Sequence, residues 1–366
     1  MTEKRKAVSL FSGAGGMDVG FSRAGFEIVF ANDFDPIACK TYTYNHNSEI
    51  KVGDINNFFG DLSNLAGKVD LVFGGPPCQG FSVAGKMDPN DPRSKLLWSY
   101  LDVVSLVQPS VFVCENVKAL GALEKWKDVR FEFLKRASKL GYETSFIILN
   151  SQDFNVPQSR ERVFFIGVKG SNQFNLEQLF SKYKKKSPSV KEMISGLGKP
   201  GNDTHLNTCN AVITLASNPV LRKSPYAGML FNGLGRPVKL NGYCSTLPAS
   251  MGGNKTPIID EAELYEGEGS WVEAYHKKLM AGELPPEFKE APKRLRRLTL
   301  KEAIIIQTFP LDYRFAGGNS AIYRQIGNAV PCNLAEAVGK VASDLLDGIM
   351  NYSDTDLFDQ ARLVLA

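Results

Sequence analysis

The chain has 366 residues, of which 43% are apolar and 22% charged, with a formal net charge of +4. These values fit a globular protein of about two domains and exclude a disordered chain or a strongly basic nucleic-acid coat; a charge this mild neither demands nor rules out a nucleic-acid partner. No apolar run reaches the roughly 18 residues that cross a bilayer, so no membrane partner is expected. The six cysteines lie far apart without a CxxC pair, and there are only three histidines. That pattern argues against a structural metal and against a disulfide framework, and fits a reducing compartment. The polar start, Met1 to Lys6, carries no signal segment, so the expected location is cytoplasmic.

The first 170 or so positions alternate strand-like and helix-like segments. Ala7 to Phe11 is a short apolar run, followed by a glycine turn and a helix predicted over Met17–Ala24. Phe26–Ala31 reads as a second strand, and Pro36–Tyr44 as a helix with proline in its first turn. Leu71–Phe73 and Val111–Val113 are buried strands, while Ser145–Leu149 and Arg162–Val168 look like a closing antiparallel pair. A series of this kind predicts an α/β fold with a doubly wound, mainly parallel sheet. From about 172 to 290 the chain is rich in Gly, Asn, Pro and Ser and loses periodicity, which reads as a smaller loop-rich domain. Ordered α/β character returns near Leu298–Ala303.

Several groups capable of chemistry fall at predicted strand ends, where open α/β sheets hold their ligands. Phe11-Ser12-Gly13-Ala14-Gly15-Gly16-Met17-Asp18 links the first strand to the first helix. Its glycines let backbone approach a ligand, yet Asp18 stands where a full G-x-G-x-x-G would have its last glycine. Asp33, with aromatic Phe34 beside it, ends the second strand, and Gly53-Asp54-Ile55 ends the third. Each is compatible with an ordinary turn or surface acid; three together favour a nucleoside site. Gly74-Gly75-Pro76-Pro77-Cys78-Gln79-Gly80-Phe81-Ser82 follows the fourth strand. Cys78 there is either a small buried residue or a nucleophile held on a rigid turn. Glu115, in Cys114-Glu115-Asn116-Val117, would face the same cleft as a proton donor or a paired acid. Alternation puts Arg160 and Arg162 of Gln158-Ser159-Arg160-Glu161-Arg162 on one face. The basic runs Lys182–Lys186 and Lys293–Arg297 read either as solvated faces or as phosphate contacts.

Taken in order, these blocks resemble those of bacterial-type cytosine-carbon-5 DNA methyltransferases. The set begins with Phe11–Gly16, Gly75–Ser82, Glu115–Val117 and Gln158–Arg162. It closes with Arg296-Arg297-Leu298-Thr299 and Gln325-Ile326-Gly327-Asn328-Ala329-Val330-Pro331. The aperiodic stretch falls where that family keeps a variable target-recognition domain. The expected division is therefore a catalytic and cofactor-binding domain of 1–175 and 312–366, with a target-recognition domain of 176–311.

The resemblance implies S-adenosylmethionine as methyl donor and double-stranded DNA as partner; the protein is expected to act as a monomer. Phe11, Gly13 and Gly15 would lie against the donor, Asp33 on its ribose hydroxyls, Phe34 over its adenine, and Asp54 and Ile55 beside the base. Leu96, Asn328 and Ala329 would complete the pocket; the family often has serine at the last place, so only a backbone contact is implied for Ala329. Cys78 would add to carbon 6 of a flipped cytosine, Glu115 would bond ring nitrogen 3 and the exocyclic amine, and Arg162 the ring carbonyl. Arg160 would support the thiolate side, and the Pro76 and Pro77 carbonyls would face the exocyclic amine. Ser82 begins the loop that closes on DNA, and Thr246 matches a DNA-backbone contact. Arg236, Asn254 and Lys255 lie in glycine-rich loops suited to base reading, with phosphate contacts near Lys293–Arg297.

Three other readings share parts of this pattern. Related tRNA methyltransferases carry a Cys-Phe-Thr signature that this chain lacks. A catalytically silent DNA-binding homologue is opposed by intact Cys78, Glu115 and Arg162. A nucleotide-dependent oxidoreductase rests on the first glycine loop alone.

Overall fold

A computed structural model describes residues 4–77, 95–171, 173–201, 205–208 and 211–351. Cys78 and Ser82 lie outside the described residues. The first part runs β1 (Lys6–Leu10), α1 (Gly16–Arg23), β2 (Glu27–Asp33), α2 (Pro36–Asn45), β3 (Ile50–Val52), α3 (Phe59–Ser63), β4 (Leu71–Gly74) and α4 (Leu96–Val107). It continues with β5 (Val111–Val117), α5 (Lys118–Ala122), α6 (Lys127–Lys139), β6 (Tyr142–Asn150), β7 (Gln158–Ser159) and β8 (Glu161–Lys169). A seven-stranded sheet has the order β3-β2-β1-β4-β5-β8-β6. Strands β3 to β5 pair in parallel, and β8 runs antiparallel to both β5 and β6. The mainly parallel sheet and its reversed strand match the sequence expectation.

Both faces of this sheet are covered, which is why its strands are continuous apolar runs instead of alternating ones. Ala7, Phe73, Val113 and Ile166 point to one side and pack with Phe21 of α1. Val8, Val72, Phe112 and Phe165 point to the other, against Tyr100 and Val104 of α4 and Phe133 of α6. Local signals set the helix starts. Asp35 accepts bonds from the N–H groups of Ile37 and Ala38, with Pro36 in the first turn of α2. Strand β1 stops one residue earlier than expected. Phe11 takes a left-handed φ of 55°, which a pleated strand does not accommodate.

The later elements are α7 (Leu176–Ser181), α8 (Val190–Ile194), β9 (Leu215–Val220), β10 (Met229–Phe231), β11 (Cys244–Ser245), β12 (Ile258–Asp260), α9 (Trp271–Met280) and β13 (Leu295–Arg297). Then follow α10 (Leu300–Ile306), α11 (Asn319–Asn328) and α12 (Cys332–Asn351). Strands here form only two-stranded pairs, β9 with β10, β11 with β7, and β12 with β13. Helix α12 returns to the first core: Leu334 and Val338 join Phe21, and a side chain at Gly20 would come within 2.5 Å of the Ala335 Cβ. A further core joins Val190, Leu240 and Ile259 to Ile304, Ile322 and Ile326. The α10 and α11 segments thus pack with residues from both the early and the middle parts of this region.

The basic run 293–297 differs from the expected phosphate surface. Arg294 pairs with Asp260 at 2.7 Å and Glu268 at 2.6 Å; Arg296 pairs with Glu261 and Glu302, each at 2.7 Å. Arg297 is buried and donates to the Thr256 carbonyl at 2.9 Å. Three arginines of the run are therefore internal struts, and Lys293 is exposed. Glu302 also closes a capping box with Thr299 at the start of α10.

Candidate active site

A cavity of about 570 Å³ opens at the carboxyl ends of β1 to β5. Its lining includes Phe11, Gly13, Asp33, Phe34, Asp54, Ile55, Leu96, Glu115, Arg160, Arg162, Thr246, Asn328 and Ala329. The fold thus brings together groups from the carboxyl ends of β1 to β5, the start of β8, the 246–249 segment and the end of α11.

At one end of the cavity, Asp33 accepts from the Gly13 N–H at 2.7 Å and from the Asp35 N–H at 2.8 Å. Burial nevertheless raises its pKa, against the pull of those two backbone N–H groups. Gly13 has φ 55°, and a side chain built there would meet, within 4 Å, only Asp33 Oδ2 among the described residues. The backbone therefore forms an open cradle that a side chain would occupy. Phe34 is 75% exposed, a large aromatic left uncovered at the rim. Asn32 fixes the next turn by donating to the carbonyls of Lys51 at 2.9 Å and Gly53 at 3.0 Å. Asp54 starts the following short helix by accepting from the Asn56 N–H at 2.9 Å.

At the other end, Glu115 and Arg162 form an ion pair of 2.9 Å, with side chains 12% and 16% exposed. Register explains the meeting: β5 and β8 are antiparallel neighbours, with Val117 opposite Arg162. Burial raises the Glu115 pKa, while Arg162 and then Arg160 draw it back down. A side chain at Gly75 would reach within 2.7 Å of Glu115 Oε2, so the glycine lets the turn lie against this carboxylate. Asn116, buried beside it, donates to the Pro76 carbonyl at 3.2 Å. That carbonyl, expected to face a base, is thus engaged within the protein.

Two other site residues differ from expectation. Gly15 does not line the cavity. It caps α1 with a left-handed φ of 84°, and a side chain there would press within 2.8 Å of the Tyr313 hydroxyl. Its glycine serves the turn and the packing behind the cavity. Arg160 is fully buried and donates to the carbonyls of Leu247 at 3.2 Å, Gly327 at 2.9 Å and Asn328 at 3.4 Å. Its guanidinium is directed at backbone, although its charge still acts on Glu115.

Thr246 is exposed at the cavity and donates its hydroxyl to the Ser159 carbonyl at 3.0 Å. Arg236, Asn254 and Lys255 are exposed but do not line the cavity. Their two loops form one unit: the Gly235 N–H donates to the Asn254 carbonyl at 3.2 Å, and the Ile258 N–H to the Arg236 carbonyl at 3.0 Å.

The model of the family described as C-5 cytosine-specific DNA methylase matches residues 5–343. The chain belongs to that family. It is a DNA (cytosine-5-)-methyltransferase. It is 33% identical to the Type II methyltransferase M.FnuDI of Fusobacterium nucleatum, over 93% of this chain and 95% of that protein. It is equally 33% identical to the Type II methyltransferase M.MthTI of Methanothermobacter thermautotrophicus, over 94% of this chain and 98% of the other. Among solved structures, a DNA modification methyltransferase encoded within an E. coli prophage matches with a TM-score of 0.63 at 24% identity, over 94% of this chain and 99% of that one. The S. pombe Dnmt2 methyltransferase matches with a TM-score of 0.63 at 19% identity, over 96% and 100% of the two chains. These last two show the shared fold.

Among the described residues, no group of His, Cys, Asp and Glu is arranged to hold a metal ion, and no helix is long and apolar enough to cross a membrane. Sequence reasoning missed Asn116, Gln158 and Gln307. For Asn116 and Gln158 the signal available was an amide side chain inside a strong motif; Gln307 lies in none of the motif blocks. Gln158 opens the Gln-Ser-Arg-Glu-Arg block, yet its buried partner, Gln307, lies 149 positions away.

Proposed function

We propose that this methyltransferase modifies carbon 5 of a flipped cytosine within a short specific sequence of double-stranded DNA. In this reading it acts as a monomer in the cytoplasm, as the modification enzyme of a restriction-modification system, with S-adenosylmethionine as donor. The observation that carries the reading is the Glu115–Arg162 pair in the same cavity as Asp33 and Phe34. One end of the cavity suits a pyrimidine edge and the other a nucleoside.

The residues present fit the donor. The Gly13 cradle has room beside Asp33, whose carboxylate would take the ribose hydroxyls, and the uncovered Phe34 ring would stack on adenine. Asp54 and Ile55 would border the base, and Phe11, Leu96, Asn328 and Ala329 would enclose the rest. When bound, the donor supplies an electrophilic sulfonium methyl group.

The protein's own part begins with Cys78. Its thiolate adds to carbon 6, and the ring electrons move to make carbon 5 nucleophilic. Glu115, held toward its protonated form by burial, bonds ring nitrogen 3 and the exocyclic amine, while Arg162 bonds the ring carbonyl and holds Glu115 in place. Once carbon 5 is methylated, its proton passes to solvent water; the C–H electron pair re-forms the carbon 5–carbon 6 double bond as the carbon 6–sulfur bond breaks, releasing the Cys78 thiolate. A stacked base is out of reach of Cys78, so the cytosine must leave the helix, at a cost of roughly a few kcal/mol. We assign the backbone contact to Thr246, loop closure to the segment from Ser82, and base or phosphate contacts to Arg236, Asn254 and Lys255. Chemistry resides in 1–175 and 312–366, and target choice in 176–311.

Bisulfite sequencing of DNA from cells expressing the chain tests this reading. Cytosines in one sequence context should be protected, and Cys78→Ser should abolish protection. DNA carrying 5-fluorocytosine at that context should trap the wild-type enzyme covalently when the donor is supplied. Absence of protection, or equal trapping by Cys78→Ser, would overturn the assignment.

A further inference from the structure

Three consecutive residues, Gln158 to Arg160, grip the Thr246–Leu247 step from several directions. Strand β7 pairs in parallel with β11, setting Ser159 opposite Ser245. The Thr246 hydroxyl donates to the Ser159 carbonyl at 3.0 Å. The Leu247 N–H donates to Gln158 Oε1 at 2.9 Å, and the Leu247 carbonyl accepts from Arg160 at 3.2 Å. Both polar groups of the Leu247 backbone are thus claimed by this short segment.

The same two side chains reach the other wall of the cavity. A second guanidinium nitrogen of Arg160 donates to the carbonyls of Gly327, at 2.9 Å, and Asn328, at 3.4 Å. These carbonyls end α11, where a cation also offsets the helix dipole. Gln158 Nε2 donates to Gln307 Oε1 at 2.5 Å, and Gln307 Nε2 donates to the Ala329 carbonyl at 2.5 Å. A second observation makes the two walls close neighbours: a side chain at Gly327 would lie within 2.5 Å of the Ala249 nitrogen and the Pro248 carbonyl. Gln158, Arg160 and Gln307, all buried, make this one continuous polar bracket through Leu247 and the 327–329 carbonyls.

We propose that Gln158 and Arg160 are positioning residues that fasten the Thr246 step to the 327–329 turn, so that occupancy of the donor pocket and seating of the DNA backbone favour one another. The proposal rests on the preceding reading of Thr246 as a DNA contact and of Asn328 and Ala329 as donor contacts. A planar guanidinium serves this purpose better than an ammonium, because separate nitrogens aim at carbonyls on two segments. A lysine keeps the charge near Glu115 but not the fork.

The test measures S-adenosylhomocysteine binding by calorimetry, with and without a duplex containing the methylated context, for wild type and Arg160→Lys. Wild type should bind the ligand more tightly with DNA present, by a factor on the order of ten. In folded Arg160→Lys the enhancement should shrink to about twofold or less, while the pH profile of kcat stays that of wild type. A purely structural loss would lower melting temperature and both affinities without removing their mutual enhancement. That outcome, or a retained enhancement with an altered pH profile, would overturn the proposal. Should Arg160→Lys fail to fold, Gln307→Met breaks the Gln158–Ala329 link without removing a charge, and must likewise lose the enhancement. A wild type that binds both ligands without mutual enhancement would refute the bracket alone; one that neither binds S-adenosylhomocysteine nor methylates DNA would refute the underlying function as well.

Discussion

Asn116 donates its side-chain amide to the Pro76 carbonyl at 3.2 Å, so the strand that bears Glu115 also holds the turn that leads to Cys78. The bond is buried, and its geometry links Glu115, to which we assign the acid role, to the support of Cys78, to which we assign the nucleophilic role. Asn116→Ala should therefore lower single-turnover methyl transfer by about 10–100-fold, the usual scale for a misplacement near 1 Å. S-adenosylhomocysteine affinity should hold, because Asn116 does not line the cavity. An unchanged turnover rate would show that the proline turn is rigid without this bond.

Gly75→Ala probes the same region from the opposite side. The added methyl would fall within 2.7 Å of Glu115 Oε2, the end of a side chain that can swing away. Folding should suffer little, and the melting temperature should stay close to wild type. The displaced carboxylate would lose its place beside Arg162, and kcat should fall by about 10²-fold. A large fall in melting temperature with kcat retained would contradict this view of Gly75.

The seven strands of the main sheet, its reversed pair and the first two helices could be read from sequence because each rests on neighbours in the chain, whereas α3 to α6 and β7 were not. Pro36, the apolar run Leu71–Phe73 and the Gly13 turn carry their reasons locally. The roles of Arg160, Arg294, Arg296 and Arg297 could not be read in that way. A basic run looks alike whether it faces phosphate or pairs internally, and the outcome depends on where Asp260, Glu261 and Glu302 fall in space. Gly15 failed for a related reason: its left-handed φ was foreseeable from a glycine turn, but the Tyr313 hydroxyl behind it comes from a distant segment. The composition change after about 172 signalled a loop-rich domain, yet neither its two-stranded pairs nor the core that ties α8 to α10 and α11.

Phe34 offers a clean test of donor binding. It is 75% exposed, so its removal sacrifices little native packing. Stacking on a base is worth about 1–3 kcal/mol, and Phe34→Ala should weaken S-adenosylhomocysteine binding by about 5–150-fold. Asp33→Ala should also weaken it, but at some cost in stability, because Asp33 ties the Gly13 and Asp35 N–H groups together. Equal affinity in Phe34→Ala by calorimetry would remove the ring from the donor site.

Asp18 makes stability depend on pH. It is fully buried, accepts from the Tyr42 hydroxyl at 3.0 Å, and its pKa is raised to about 7, chiefly by burial. Between the ordinary carboxylate value of 3.8 and about 7 the folded state holds more protons than the unfolded state. Stability from this group is therefore present at low pH and lost as pH rises through that window. His46, stacked on Tyr42 and lowered to about 4 by burial, acts in the opposite sense: its contribution is lost as pH falls from 6.5 through 4. Asp18→Asn keeps an acceptor for Tyr42 and leaves His46 in place. Its melting temperature should match wild type near pH 4 and exceed it at pH 8, with a difference equivalent to roughly a few kcal/mol. A difference that does not change with pH would show that Asp18 does not titrate across this range.

Target choice should move with residues 176–311, while the first part supplies the chemistry. Exposed Arg236, Asn254 and Lys255 sit on two loops held together by the Gly235–Asn254 backbone bond, so the readers should act as one unit. A side chain that reads a base should cost about 1–3 kcal/mol when removed and relax the sequence context. One that meets only phosphate should weaken all sequences alike and reduce the salt slope by about one unit. Thr246→Ala should lower methylation without changing context, because its hydroxyl holds backbone near the cavity. A graft of 176–311 from a relative with another target must also supply the Leu240 and Ile259 side of the core shared with Ile322 and Ile326. Bisulfite sequencing of an active hybrid should then report the donor protein's target. An active hybrid that still methylates the original sequence would place recognition outside 176–311.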